Sequence, residues 1–262
     1  MATRRSRVLV TGSSQGLGMM TAQLLAKEGH MVSLHVRSQA RVAEARAELP
    51  AAEHVFVADV STIAATRDLA RQANSTGPYD AVVHNVAVGY QEPRRVETTD
   101  GIELVFAVNV LAPYLLTALM QRPSRLVYLS SGLHRSGRAD LGDVQWKRRR
   151  WNGGQAYSDS KLFDVMLAFA VARRWPGVFS NALEPGWVAT RMGGPGAPDD
   201  LTLGSVTQAW LATSDDREAA VTAGYFFHQK PRDVHPAARD PRLQDALLEY
   251  CESCTGVALS RD

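Results

Sequence analysis

The chain has 262 residues, 45% of them hydrophobic and 21% charged, which suits one globular α/β domain over 1–262 and excludes disordered and fibrous classes. A formal net charge of +2 gives no global attraction to nucleic acid or to an anionic membrane. Two cysteines are too few for a disulfide framework, and no run reaches the ~20 apolar residues of a membrane span, so a cytoplasmic protein is expected.

Residues 1–7 carry arginines but pass straight into Val8-Leu9-Val10, with no hydrophobic signal region. From there short apolar runs alternate with segments of helical period. Strands are expected at 7–10, 31–36, 54–57, 81–84, 125–129, 178–183 and 224–227, and helices at 17–28, 39–49, 62–73, 101–120, 156–174 and 203–213. A β-then-α order implies a doubly wound parallel sheet of about seven strands, with ligand chemistry at the carboxyl ends of the strands.

The first such end carries Thr11-Gly12-Ser13-Ser14-Gln15-Gly16-Leu17-Gly18, which opens the first helix. Free backbone N–H groups and the helix dipole there favour a phosphate, so Gly12, Ser14, Gln15, Gly16, Leu17 and Gly18 are candidate dinucleotide contacts. The second strand ends in Arg37-Ser38, where an NAD-preferring enzyme usually has a carboxylate for the ribose 2′-hydroxyl. A guanidinium suits a 2′-phosphate, and no carboxylate is expected there to repel it, so NADP(H) is expected over NAD(H). Solvent-facing capping of the strand is the plainer alternative for Arg37.

Tyr157 and Lys161 stand four apart on an expected helix and so share a face. An ammonium beside a phenol favours phenolate and lowers its pKa, which prepares a tyrosine for proton transfer. Alone, that spacing is common on solvated helices. Its company is more specific.

The glycine turn, Asp59, His84-Asn85-Val86-Ala87, Asn109, Ser130-Ser131, the Tyr157/Lys161 pair and the segment Pro185-Gly186-Trp187-Val188-Ala189-Thr190 together resemble the short-chain dehydrogenase/reductase family. The resemblance covers nearly the whole chain. It implies a Rossmann fold and hydride transfer between a nicotinamide and a ketone or aldehyde. By it, Ser131 binds the substrate carbonyl oxygen, Tyr157 donates the proton, and Lys161 also holds the nicotinamide ribose. Asn109 positions a water that links Lys161 to solvent, although a plain buried polar residue is the alternative. Asp59 and Val60 meet the adenine; Asn85, Ala87, Pro185, Gly186, Val188 and Thr190 complete the cofactor contacts. An acid at the start of the third helix is a compatible second reading of Asp59. Local motifs resemble the retinol-dehydrogenase-like branch, which includes bacterial ketoreductases, so a small hydrophobic or polyketide-like aromatic substrate is expected. Family members often pair through helices equivalent to 101–120 and 156–174, making a homodimer or homotetramer possible.

Ala87 departs from the family's glycine, and alanine restricts the backbone. His84 reads as a packing residue, and no metal site is expected. The run Trp146-Lys147-Arg148-Arg149-Arg150-Trp151 reads as a solvated face, with nucleic acid or an acidic partner as alternatives. Cys251 and Cys254 form a C-x-x-C in an expected C-terminal helix, with structural thiols the plainer reading. Residues 193–200, rich in Gly, Pro and Asp, are expected to form a lid over substrate. The rival to an enzyme is a catalytically idle NADP-binding sensor or scaffold, for which the combination of Ser131, Tyr157 and Lys161 has no use.

Overall fold

Alternation along each strand decides the architecture. On β1 (Arg7–Val10), Val8 and Val10 point into one core and Leu9 into the other. On β4 (Ala81–His84) and β5 (Arg125–Leu129), Val83, Val127 and Leu129 join the first set, and Val82, Leu126 and Tyr128 the second. Both faces of the sheet are therefore apolar, and each must be covered by helices.

The computed structural model describes residues 5–261; the arginine-bearing start at 1–4 and residue 262 lie outside the described residues. β2 (Met31–Val36), β3 (Val55–Val57), β6 (Phe179–Glu184), β7 (Tyr225–Phe227) and β8 (Lys230–Pro231) complete a sheet of order β3-β2-β1-β4-β5-β6-β7-β8. Every pairing is parallel except β7 with β8. The seven expected strands are present, and the two-residue β8 is an addition.

α1 (Gly16–Lys27), α2 (Val42–Glu48) and α7 (Val206–Thr213) cover one face. The other carries α3 (Ile63–Ser75), a composite helix over 104–119, α6 (Gly153–Arg174) and α8 (Pro241–Thr255). The strand order reverses between β1 and β4, and there Thr11 N–H donates to the Val83 carbonyl at 3.0 Å. That crevice is where an open α/β sheet receives ligands.

The expected helix at 101–120 is built in three parts: α4 (Leu104–Phe106), a π turn (Ala107–Leu111) and α5 (Ala112–Leu119). Pro113 explains the break. Having no N–H, it cannot donate to the Asn109 carbonyl four residues earlier, so the wider π turn absorbs the missing bond.

Helix α6 is buried from Ala156 to Ala172 because α8 covers what would otherwise be its outer face. Phe106 packs edge-on to Tyr250, with ring centroids 5.5 Å apart, and Asp245 pairs with Arg173 at 2.6 Å. Beyond α8, the Val257 carbonyl accepts from Tyr114 Oη and the Ser260 carbonyl from Trp175 Nε1. Cys251 is fully buried on α8, Cys254 is half-buried, and burial pushes both thiols above their ordinary pKa, the opposite of a reactive cysteine.

The basic run folds around a carboxylate. Asp143 accepts from the backbone N–H groups of Lys147, Arg148 and Arg149. Arg149 lies 3.6 Å over the Trp146 ring and bonds Asp159 at 3.0 Å, while Lys147, Arg148 and Arg150 face solvent. Among the described residues no helix is long and apolar enough to cross a membrane.

Candidate active site

Two adjoining cavities open at the carboxyl ends of the strands. The first, about 620 Å³, lies against the glycine turn. It brings together Gly12, Ser14, Gln15, Gly16, Leu17, Gly18, Asn85, Ala87, Tyr157, Lys161, Pro185 and Thr190. Gly12 has φ +62°, and a Cβ there would sit 2.9 Å from Val86 Cα; at Gly18 a Cβ would sit 2.5 Å from the Gly12 carbonyl oxygen. Neither position can carry a side chain without moving backbone. Asn85 locks the turn by donating from Nδ2 to the carbonyls of Thr11 and Gly12 at 2.8 and 3.0 Å. Gln15 precedes α1 in extended conformation and offers no side-chain cap, so the first N–H groups of α1 keep their donors for the cavity. A nicotinamide dinucleotide fits this cradle by shape and by donor supply.

Arg37, Ser38, Asp59 and Val60 do not line that cavity. Arg37 and Ser38 are exposed at the end of β2, and Val60 is buried in the core. Contrary to expectation, a carboxylate does stand beside Arg37: Asp59 Oδ2 is 3.9 Å from its Nε. Both side chains are over half exposed, so the pair is weak, and a phosphate can displace it. The helix-start reading of Asp59 yields to Thr62, whose hydroxyl caps α3 while Asp59 Oδ1 accepts from Ser61 N–H.

Ala87 has no positive φ, so the methyl that replaces the family's glycine meets no backbone strain. Gly186 and Val188 fall to the second cavity, about 860 Å³, which also holds Ser131, Tyr157 and Thr190. Its walls include Tyr90, Leu133, Trp187 and Phe227; Leu133 and Trp187 are 43% and 54% exposed. Arg135 and Glu184 add a polar edge, paired at 3.2 Å. Residues Gly193 and Asp199 of the expected lid also line it. They are tied down, since Gly193 accepts from Trp187 Nε1 at 2.8 Å and Asp199 Oδ2 from Trp187 N–H.

Tyr157 belongs to both cavities. Ser131 shares the second cavity with it, Tyr90 meets it edge-on at 5.7 Å, and Lys161 Nζ lies 5.6 Å from its ring centre. Burial raises its pKa above the ordinary phenol value; the Lys161 ammonium and the Ser131 hydroxyl pull it only part of the way back. This corrects the expectation of a phenol depressed by Lys161 alone. Lys161 Nζ donates to the Leu129 carbonyl and to Asp164 Oδ2, both at 2.8 Å.

Asn109 lines neither cavity. Its side-chain oxygen accepts from Val88 N–H at 2.7 Å, and its amide donates to the Val88 carbonyl and to Ser160 Oγ. It thereby staples the loop after β4 to α6, and its own carbonyl lacks an α-helical donor because Pro113, four residues on, has no N–H. His84 is buried, with Nε2 3.1 Å from Thr117 Oγ1, consistent with packing.

Sequence reading missed Tyr90, Asp164, Glu184 and His134. The His134 ring bonds the Ser131 carbonyl at 2.7 Å and receives His235 N–H at 3.3 Å, fixing the turn that presents Ser131. Burial lowers it to about 4, so it stays neutral. Only Asp164 left a trace in the sequence, an acid three residues after Lys161 on an otherwise apolar stretch.

A family model described as short chain dehydrogenase matches residues 6–200. The chain belongs to the short-chain dehydrogenase family. As a short-chain dehydrogenase it is an oxidoreductase acting between CH–OH and C=O. Similar proteins include an uncharacterized oxidoreductase of Emericella nidulans, 40% identical over 97% of this chain and 98% of that one. A Streptomyces protein provisionally named as a daunorubicin C-13 ketoreductase is 32% identical over 95% of this chain and 92% of its own. Among solved structures, an uncharacterized Mycobacterium paratuberculosis protein superposes with a TM-score of 0.82 at 26% identity, covering 97% of this short-chain dehydrogenase and 95% of that chain.

Proposed function

We propose that the whole chain acts as one nucleotide-binding domain, an NADPH-dependent carbonyl reductase and alcohol dehydrogenase for small hydrophobic or polyketide-like aromatic substrates. One observation carries the reading: the Tyr157 phenol stands where the two cavities meet, with Ser131 in the second cavity beside it and the Lys161 ammonium against its ring. A reduced nicotinamide, when bound, supplies hydride to a carbonyl carbon. The residues of the chain then manage the oxygen. Ser131 Oγ donates a hydrogen bond to it, which fixes the carbonyl and stabilises the charge that develops there. Tyr157 Oη delivers the proton that completes the alcohol, and in reverse its phenolate takes that proton back. Lys161 holds its ammonium beneath Tyr157 and favours the phenolate left after transfer.

The aromatic walls of the second cavity support a flat hydrophobic substrate, as does the likeness to the Streptomyces protein. The glycine turn and α1 would hold the pyrophosphate; Asn85, Ala87, Pro185, Gly186, Val188 and Thr190 surround the space left for the nicotinamide half. Asp59 and Val60, beyond the cavity, are assigned to the adenine end.

Oxidation of NADPH, followed by absorbance with aromatic ketones, quinones and long-chain aldehydes and with NADH in parallel, is expected to show turnover favouring NADPH. Silence across the panel despite tight NADPH binding would replace this reading with the sensor.

Arg37 is assigned to the 2′-phosphate. Arg37→Ala is therefore expected to weaken NADPH binding roughly 10- to 100-fold, the scale of a lost charge-assisted hydrogen bond, and to leave NADH binding nearly unchanged. Equal losses for both cofactors, measured as Kd by fluorescence titration, would remove Arg37 from the assignment.

A further inference from the structure

Asp164 is a buried acid with no part in the reaction described so far. It stands on α6 one turn after Lys161, its side chain is 4% exposed, and its Oδ2 accepts from Lys161 Nζ at 2.8 Å. The same ammonium donates to the Leu129 carbonyl on β5. Two of its three protons are thus committed, leaving one for the cavity. Burying a carboxylate and an ammonium together costs desolvation of both, and an apolar residue at 164 would leave the Lys161 ammonium buried without a counter-charge. A neutral acceptor would position Nζ equally well, so the carboxylate's distinct effect is electrostatic.

We propose that Asp164 is a positioning residue for proton transfer: its carboxylate holds the Lys161 ammonium against β5 and offsets its charge, keeping Tyr157 in the protonated form that carbonyl reduction requires. The inference rests on the reading of Tyr157 as proton donor.

The surrounding groups leave this pair in control. Of the phenols near it, Tyr128 on β5 and Tyr225 on β7 are pushed up by burial and stay neutral, and Tyr90 approaches Tyr157 from the loop after β4. His84, behind Tyr128, is held at about 3 by burial and is also neutral. Of the other charges packed on α6, Glu184 pairs with Arg135, Asp159 with Arg149, and Asp245 with Arg173 and Arg174, while Glu103 accepts from the Val105 and Phe106 N–H groups and Arg239 stacks on Phe169. Burial raises Asp164 itself to about 6 against the pull of Lys161, so it is ionised at neutral pH. Its charge raises Tyr157, while Lys161 lowers it.

Asp164→Asn keeps an acceptor for Nζ and removes the negative charge. In the cofactor-free enzyme, the Tyr157 titration can be followed by NMR of tyrosine labelled at Cζ, with the resonance identified by its loss in Tyr157→Phe. It is expected to move down by about one pH unit in Asp164→Asn, the scale of one unmasked neighbouring charge. The pH limb of kcat/KM for alcohol oxidation should move down with it, and Asp164→Glu should restore the wild-type position. Asp164→Ser reads the same shift with different packing around Nζ. A Tyr157 titration that stays put or moves up, or that shifts alike in the asparagine and glutamate variants, overturns the proposal. Full activity in Tyr157→Phe would instead overturn the proton-donor reading, and the titration would still report on Asp164.

Discussion

Replacing Tyr157 with phenylalanine is expected to lower kcat for carbonyl reduction roughly 10²- to 10⁴-fold, the usual contribution of a positioned general acid. Binding of NADPH should change little. The substitution removes one oxygen from a side chain that is 6% exposed, and the ring keeps its edge-on contact with Tyr90. Ser131 accepts from Leu133 N–H at 3.3 Å, so the turn that carries it stays in place. The check is paired: single-turnover hydride transfer and NADPH affinity on the same preparation. A loss of both together would mean that the phenol supports the cofactor rather than the proton.

Lys161→Met is expected to destabilise the fold by about 3–5 kcal/mol, because it leaves Asp164 buried without its partner. The pH dependence separates this cause from simple repacking. Asp164 is already raised to about 6 by burial, and Lys161 is what restrains it, so the variant's carboxyl rises further. Between its unfolded value near ~4 and that higher folded value, the folded state binds more protons than the unfolded state, and stability falls as pH rises. Urea unfolding of Lys161→Met should therefore show its midpoint recovering as pH is lowered from 8 towards 5, with wild type changing less. A deficit that is flat across that window would assign the loss to packing alone.

The sheet was legible because its pattern is dense: seven apolar runs, each followed by a helical period, leave few alternatives. β8 escaped notice, since two residues carry no period, and its pairing depends on the turn at 228–229, where His228 and Gln229 both adopt positive φ. The break at Asn109 was present in the sequence as Pro113, but a helix-period reading passes over a proline whose missing bond a π turn can absorb. Site residues near one another in sequence were easy to group. Those brought together by folding were not: Arg37 meets Asp59 across β2 and β3, Glu184 meets Arg135, and His134 reaches the backbone at His235. The effect of burial on Tyr157 was invisible for the same reason, since desolvation depends on what covers a residue. Ala87 is a local departure that the backbone accommodates without strain.

The covering of α6 by α8 gives the chain a schedule. The helix bearing Tyr157 and Lys161 is complete by residue 174, yet its outer face is closed by 241–255 and the tail that docks at Tyr114 and Trp175. During synthesis the catalytic helix must wait, apolar side exposed, while the final third of the polypeptide emerges. A ribosome that stalls or terminates early thus releases a product with an unsealed hydrophobic face, marked for chaperones and proteases before it can turn over substrate.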